Sequence, residues 1–237
     1  MRKLAVILFF VVSLLSCQKE EQTVKLIQLS PFSKVVLNST FEISLQEDSL
    51  YFIEVIGDEK LIDFVEYEVV GEELRLSNAK KYKWLQPTKN KIRIVIHSLP
   101  LAKVTSNEAC NISTVNPITS EEFGLEVGGK LNNAQLELNC NVFFFWNNFP
   151  CGGKLELTGQ TNQVKLWTDA LYTVDARNLK AGYGNIINRS IGDIQVQVND
   201  RLDYSIHNKG DINLYGNPPE IYEIETSSSS GKLVREN

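Results

Sequence analysis

Five short triplets decide the fold of this chain: Leu136-Glu137-Leu138, Leu155-Glu156-Leu157, Val174-Asp175-Ala176, Ile194-Gln195-Val196 and Ile212-Asn213-Leu214. Each alternates apolar and polar residues, the period of a strand with one face buried. They recur at intervals of 19, 19, 20 and 18 residues. A second set falls between them: Val142-Phe143-Phe144, Val164-Lys165-Leu166, Ile186-Ile187 and Tyr204-Ser205-Ile206. Asn or Gly closes many of these runs, as at Asn139, Gly159, Asn178, Asn199, Asn208 and Gly216, and both residue types tolerate the backbone of a tight corner. Two short strands per period of about 20 residues is what a β-solenoid requires, because a single coil cannot bury its own inward side chains and stacked coils can. A β-sandwich or jelly roll also spaces its turns evenly. Five matches at nearly constant spacing favour the solenoid. The expectation is an all-β chain in which residues 101–237 form a single-stranded right-handed β-helix of roughly 20-residue coils.

Upstream the pattern is β as well, with longer strands. Phe41, Ile43 and Leu45 alternate with polar residues, Tyr51 to Ile56 forms a second run ended by Gly57-Asp58, and further strands are expected at 67–70, 73–76 and 91–97. Between them, Asp58-Glu59-Lys60-Leu61-Ile62-Asp63-Phe64-Val65 has an acidic start and apolar pairs at helical spacing, which predicts one short helix. Residues 26–100 therefore read as a smaller N-terminal β region, able to form one continuous domain with the solenoid.

The chain begins Met1-Arg2-Lys3, runs apolar from Leu4 to Val12, and reaches Leu14-Leu15-Ser16-Cys17. Two cations ahead of about a dozen apolar residues is the layout of a secretory signal over 1–16. The run is shorter than the roughly 20 residues a membrane-spanning helix needs. A small residue followed by cysteine resembles the lipobox of bacterial lipoproteins. That resemblance makes Cys17 the lipidated (palmitate-bearing) first residue, with 17–25 as tether and the membrane as partner through the acyl chains alone. Cys17-Gln18-Lys19-Glu20-Glu21 also resembles the acidic export signal of surface-exposed outer-membrane lipoproteins. Removing the leader takes two cations from a net charge of −5, leaving −7. Nothing in that balance suits nucleic acid, which is bound by basic patches.

At this point the chain resembles the head GIN domain family, the auto-transporter adhesins. The likeness lies in Phe32-Ser33-Lys34-Val35-Val36, in Phe41 to Leu45, in Tyr51 to Asp58, in Gly71-Glu72-Glu73-Leu74-Arg75-Leu76, and in the closing Gly210-Asp211-Ile212-Asn213-Leu214-Tyr215-Gly216-Asn217-Pro218. It implies a β-helical, often lipid-anchored fold and weighs little on activity. The chain departs from the pattern between Cys140 and Cys151, which enclose an unusual aromatic run.

That run, Val142-Phe143-Phe144-Phe145-Trp146-Asn147-Asn148-Phe149-Pro150, reads as an aromatic loop. Not all its rings can point into a narrow solenoid, and exposed aromatic patches mark binding sites. Phe143, Phe144, Phe145, Trp146 and Phe149 are the candidate contacts for a protein or glycan partner; the alternative is that the loop caps the core. Trp84 reads as a loop residue with the same ambiguity, and Trp167 sits at an alternating position, outward or at a corner. With Cys17 lipidated, Cys110, Cys140 and Cys151 remain, and in an oxidising compartment Cys140 and Cys151 are the better candidate disulfide; three buried thiols are the alternative. Their spacing is wrong for a metal, and His97 and His207, which read as structural, lie far from them. No cofactor is expected.

The aligned strands also place Glu137, Glu156, Asp175, Gln195 and Asn213 outward in one column. Paired carboxylates at coil spacing could serve a glycan-active lyase or hydrolase, which needs about 5–9.5 Å between carboxyls, or hold Ca²⁺; a solvated strand face explains them as well. No nucleophile elbow, zinc-helix motif or phosphate loop is present. The sequence reading is thus a non-catalytic, lipid-anchored envelope adhesin or binding scaffold, with the glycan-active enzyme and a purely structural component as alternatives.

Overall fold

A computed structural model of the chain describes residues 22–80, 91–148 and 150–236. Cys17, Trp84 and Phe149 lie outside these described residues. The elements in order are β1 (Thr23–Gln28), β2 (Lys34–Leu37), β3 (Glu42–Glu47), β4 (Phe52–Gly57), α1 (Glu59–Ile62), β5 (Val65–Val70), β6 (Glu73–Asn78), β7 (Arg93–Ser98), β8 (Lys103–Ser106), β9 (Asn111–Thr114), β10 (Glu122–Val127), β11 (Leu131–Asn147), β12 (Gly152–Ser190), β13 (Ile194–Ile206), β14 (Ile212–Tyr215), β15 (Glu220–Glu225) and β16 (Leu233–Arg235).

The strands line two faces of a β-solenoid of about six turns with a spacing of roughly 21 residues. On the first face the order is β1-β4-β7-β3-β9, continued by the first leg of β11, by β12 and β13, and then by β14 and β16. On the second it is β5-β6-β2-β8-β10, continued by residues 142–147 of β11, by the second legs of β12 and β13, and by β15. Pairing is parallel except where β1, β4 and β7, and β5 and β6, run antiparallel at the N-terminal end. The early strands stack directly on the later ones, β2 on β8 and β3 on β9, and every coil feeds one hydrophobic cluster.

Alternation drives this arrangement. Val35 and Leu37 face Leu74, Leu76 and Val104 across the ladder, and Ile43 and Leu45 neighbour Ile94 and Ile96; all are buried. The register differs from the sequence expectation by two residues at one place. Leu136 pairs with Leu157 and Ala134 with Leu155, a step of 21, whereas the sequence alignment had set Leu136 against Leu155. A two-residue slip keeps the same side chains inward, so hydrophobic pattern alone does not distinguish the two. The expected helix is present as α1, where the Asp58 side chain accepts the Lys60 N–H at 2.8 Å and Leu61 and Ile62 are buried.

Corners are closed by inward polar side chains. Asn132, Asn147 and Asn188 are buried, and each binds backbone groups of the next coil or corner. Gly159, at φ +101°, brings its backbone so close to the preceding coil that a Cβ would lie 2.0 Å from the Leu138 carbonyl oxygen.

Candidate binding site

The aromatic run is strand rather than loop: residues 142–147 form the second-face leg of β11, between β10 and β12. Strand parity therefore sorts its rings. Phe143 and Phe145 point inward and are fully buried, stacked on Phe123 at 6.0 Å and tilted against Tyr172 at 4.8 Å. As contacts for a partner these two are corrected to core residues, because the pleat sends alternate side chains to opposite faces. Phe144 and Trp146 point outward; Phe144 is half-buried and Trp146 is 44% exposed.

The outward pair does not stand alone. Trp146 lies in register with Trp167 of the next coil, itself 41% exposed. Neighbouring strands are about 4.8 Å apart, so the two indoles form one surface. On the other side of β11, Phe144 faces Gly124, where a Cβ would sit 1.9 Å from the Phe144 ring; the missing side chain lets that ring lie across β10. Beyond Trp167 the surface drops into a cleft of 270 Å³ bounded by Trp146, Trp167, Asp169, Ile187 and Arg189.

The cleft wall is set by a corner. Ala170 takes φ 59°, a left-handed backbone rare for a residue with a side chain, and turns the chain between the two faces. Asn147 holds the neighbouring Asp169 by both backbone groups. Several outward charges on the coils are ion-paired: Lys103 with Glu126 at 3.2 Å, Arg177 with Asp175 at 2.7 Å, Arg201 with Asp203 at 2.9 Å. No such ion pair engages Asp169 or Arg189 among the described residues. Asp169 and Arg189 had no sequence signal of their own. The Trp146–Trp167 spacing of 21 residues equals the coil step and could have revealed the pair.

The carboxylate column is rearranged by the same two-residue slip. Gln135, not Glu137, neighbours Glu156, and Glu137 lies opposite Thr158. Glu156 is held by Lys154 and by the Gln135 amide at 2.9 Å, and Asp175 by a two-pronged contact from Arg177 at 3.0 and 2.7 Å. The Lys154 and Arg177 contacts hold both carboxyls below their ordinary range. A glycosidase needs one carboxyl pushed upward to act as acid, and these two are displaced the other way.

Cys110, Cys140 and Cys151 are free, buried thiols, so the expected Cys140–Cys151 pairing is not formed. Cys140 sits at one corner beside Thr161, and Cys151 at the opposite corner beside Asn132. The extended leg between them spans about 20 Å, against a Cα separation of roughly 4.4–6.8 Å for a disulfide. Burial raises the pKa of all three. His97 is buried in β7, stacked on Phe52 at 3.8 Å, with Asp48 3.2 Å away; His207 contacts Ser205 at 3.1 Å.

Comparison with known proteins follows the fold. The family described as "Putative auto-transporter adhesin, head GIN domain" matches residues 31–218. A crystal structure of a putative adhesin from Bacteroides fragilis NCTC 9343 is 18% identical, with a TM-score of 0.83 over 92% of this chain and 98% of that one. A putative adhesin from Parabacteroides merdae ATCC 43184 is 16% identical with a TM-score of 0.63, and a protein from Parabacteroides distasonis ATCC 8503 described as a putative lipid binding protein is 15% identical at 0.62; both alignments cover 92% of this chain and 98% of the other. At these identities the likeness is one of fold. No curated protein matches the chain.

Proposed function

We infer, from the premise that this chain belongs to the head GIN domain family of putative auto-transporter adhesins, that it is a non-catalytic binding scaffold of the cell envelope that holds a glycan in the Trp146–Trp167 cleft. The observation that carries this reading is the in-register tryptophan pair, half-exposed beside the unmatched Asp169 and Arg189. Indole faces supply apolar contact to the C–H side of a sugar ring, and a carboxylate and a guanidinium beside them supply an acceptor and donors for its hydroxyls. Ligand sites commonly combine an apolar lining with a few placed polar groups in this way.

Anchoring through lipid on Cys17 is part of the same proposal. It rests on the leader and on the Ser16-Cys17 pair that ends it, and several acyl chains on that cysteine would give firm attachment where one is marginal. The tether then lets the second face meet material outside the cell. Two measurements test it. On a glycan array the exported chain binds a subset of sugars with quenching of tryptophan fluorescence, and the Trp146→Ala/Trp167→Ala double variant loses at least tenfold in affinity while keeping its melting temperature. Retained binding by that folded variant sinks the cleft. Labelled palmitate enters the wild type and not Cys17→Ala; equal labelling sinks the anchor.

A further inference from the structure

We propose that an open trough on the first face, away from the tryptophan cleft, is a second carbohydrate site, fitted to an uncharged oligosaccharide lying across the strands. The trough holds 470 Å³ and crosses β7, β3, β9, β11 and β12. Its depth comes from a step in side-chain size. Short residues occupy the middle: Ser44, Asn111, Ser113 and Asn133. Long ones stand at the ends, Arg93 with Glu42 at one and Lys154 with Glu156 at the other. From β3 to β12 is three strand steps, about 14 Å, so the occupant is a chain of several rings rather than a single one.

Charge and hydrogen bonding select the ligand class. Among the lining residues each end carries one cation beside one carboxylate, and Lys91 reaches Glu42 at 3.8 Å from outside the lining, so any charged ligand meets a like charge at both ends. Between them the groups are neutral and only partly used. Asn133 Nδ2 donates to Asn111 Oδ1 at 3.1 Å, which leaves the Asn111 amide N–H groups for a ligand. Gln135 Nε2 donates to Glu156 at 2.9 Å, which leaves Gln135 Oε1 as an acceptor. Ser113 Oγ donates to the Ile43 carbonyl at 3.3 Å and lies 3.4 Å from Ser44 Oγ, so this pair adds acceptor lone pairs and the Ser44 hydroxyl as a donor. Alternating amide donors and acceptors match sugar hydroxyls, which play both roles. Among the described residues no aromatic ring lines the trough, so recognition here lacks ring stacking and differs in kind from the tryptophan cleft. The two sites lie on different ladders of the solenoid, and occupancy of both lets one molecule bridge two glycan strands.

The test is side-chain amide NMR of the exported chain titrated with maltotriose, cellotriose and mannotriose. The amide signals of Asn111, Asn133 and Gln135 move with one of these sugars, in the wild type and equally in Trp146→Ala/Trp167→Ala. The midpoint rises at least tenfold in Ser113→Tyr, which fills the trough, and in Asn111→Ala, which removes its central donor and serves if the larger side chain disturbs folding. The proposal is overturned if the three signals stay still at millimolar concentrations of all three sugars, if their movement vanishes with the tryptophans, or if both trough variants bind as the wild type. The tryptophan cleft fails separately, by the array measurement, and its failure leaves this site standing.

Discussion

The side-chain amide of Asn147 closes both backbone groups of Asp169: its Oδ1 accepts the Asp169 N–H at 2.9 Å, and its Nδ2 donates to the Asp169 carbonyl at 3.0 Å. Asn147 is itself fully buried and sits directly after Trp146, so one residue ties the tryptophan strand to the corner that walls the cleft. Asn147→Ala leaves two backbone groups unpaired, at about 1–3 kcal/mol each. The expected loss is about 2–6 kcal/mol in urea unfolding, with weakened binding at the cleft even where the protein is still folded.

The aromatic run divides by parity, and stability reads the division. Phe143→Ala and Phe145→Ala each remove a fully buried ring and cost about 3–5 kcal/mol. Trp146→Ala and Trp167→Ala remove half-exposed rings and cost about 0.5 kcal/mol or less, the range of surface changes. Equal losses across all four would place the tryptophans in the core and remove the cleft as a site.

Gly124 and Phe144 are coupled. A methyl at Gly124 collides with the Phe144 ring, so Gly124→Ala destabilises the wild type, and Phe144→Ala relieves it. A double-mutant cycle should return an interaction energy of about 1–2 kcal/mol. Additive single effects would show that the ring does not lie across β10.

Asp203 sets an acid limit to stability. Hydrogen bonds from Arg201 at 2.9 and 3.0 Å, and then from the Tyr183 hydroxyl at 2.9 Å, hold its carboxyl below the ordinary value of 3.8, against desolvation that raises it. A carboxyl depressed in the folded state contributes fully above its unfolded pKa, and the contribution is lost as pH falls through the folded one. Stability should therefore decline as pH drops below 3.8, and Asp203→Asn should be less stable at neutral pH with a flatter acid limb. Chemical denaturation from pH 6 to 3 measures both.

The three buried thiols should be silent toward Ellman's reagent in the native protein, since burial raises their pKa and hides them. In guanidinium without reductant, Cys110, Cys140 and Cys151 should all label. Labelling of Cys110 alone would show a Cys140–Cys151 disulfide.

Much of the fold was legible because its signals are local. Alternation in Ile194-Gln195-Val196 or Ile212-Asn213-Leu214 names the buried face without reference to any neighbour, and the repeat near 20 residues announces stacking. Asp58 ahead of Leu61 and Ile62 announces the helix in the same way. The site was legible only in part: Phe144, Trp146 and Glu156 lay among the candidates, but Asp169, Arg189 and the short residues of the first-face trough did not, because residues brought together by stacking share no local pattern.

By itself, then, the sequence determined the all-β class, the coil repeat, the inward columns and the single helix. Only the tertiary structure decided that Leu136 meets Leu157, that Trp146 meets Trp167, that Phe143 and Phe145 belong to the core, and that Cys140 and Cys151 sit at opposite corners. The physical reason is the two-residue period of a strand. It fixes which face a side chain takes but is unchanged by a slip of two, so the partner on the next coil is chosen by corner length and by inward groups such as Asn147, which act only once the coils are stacked.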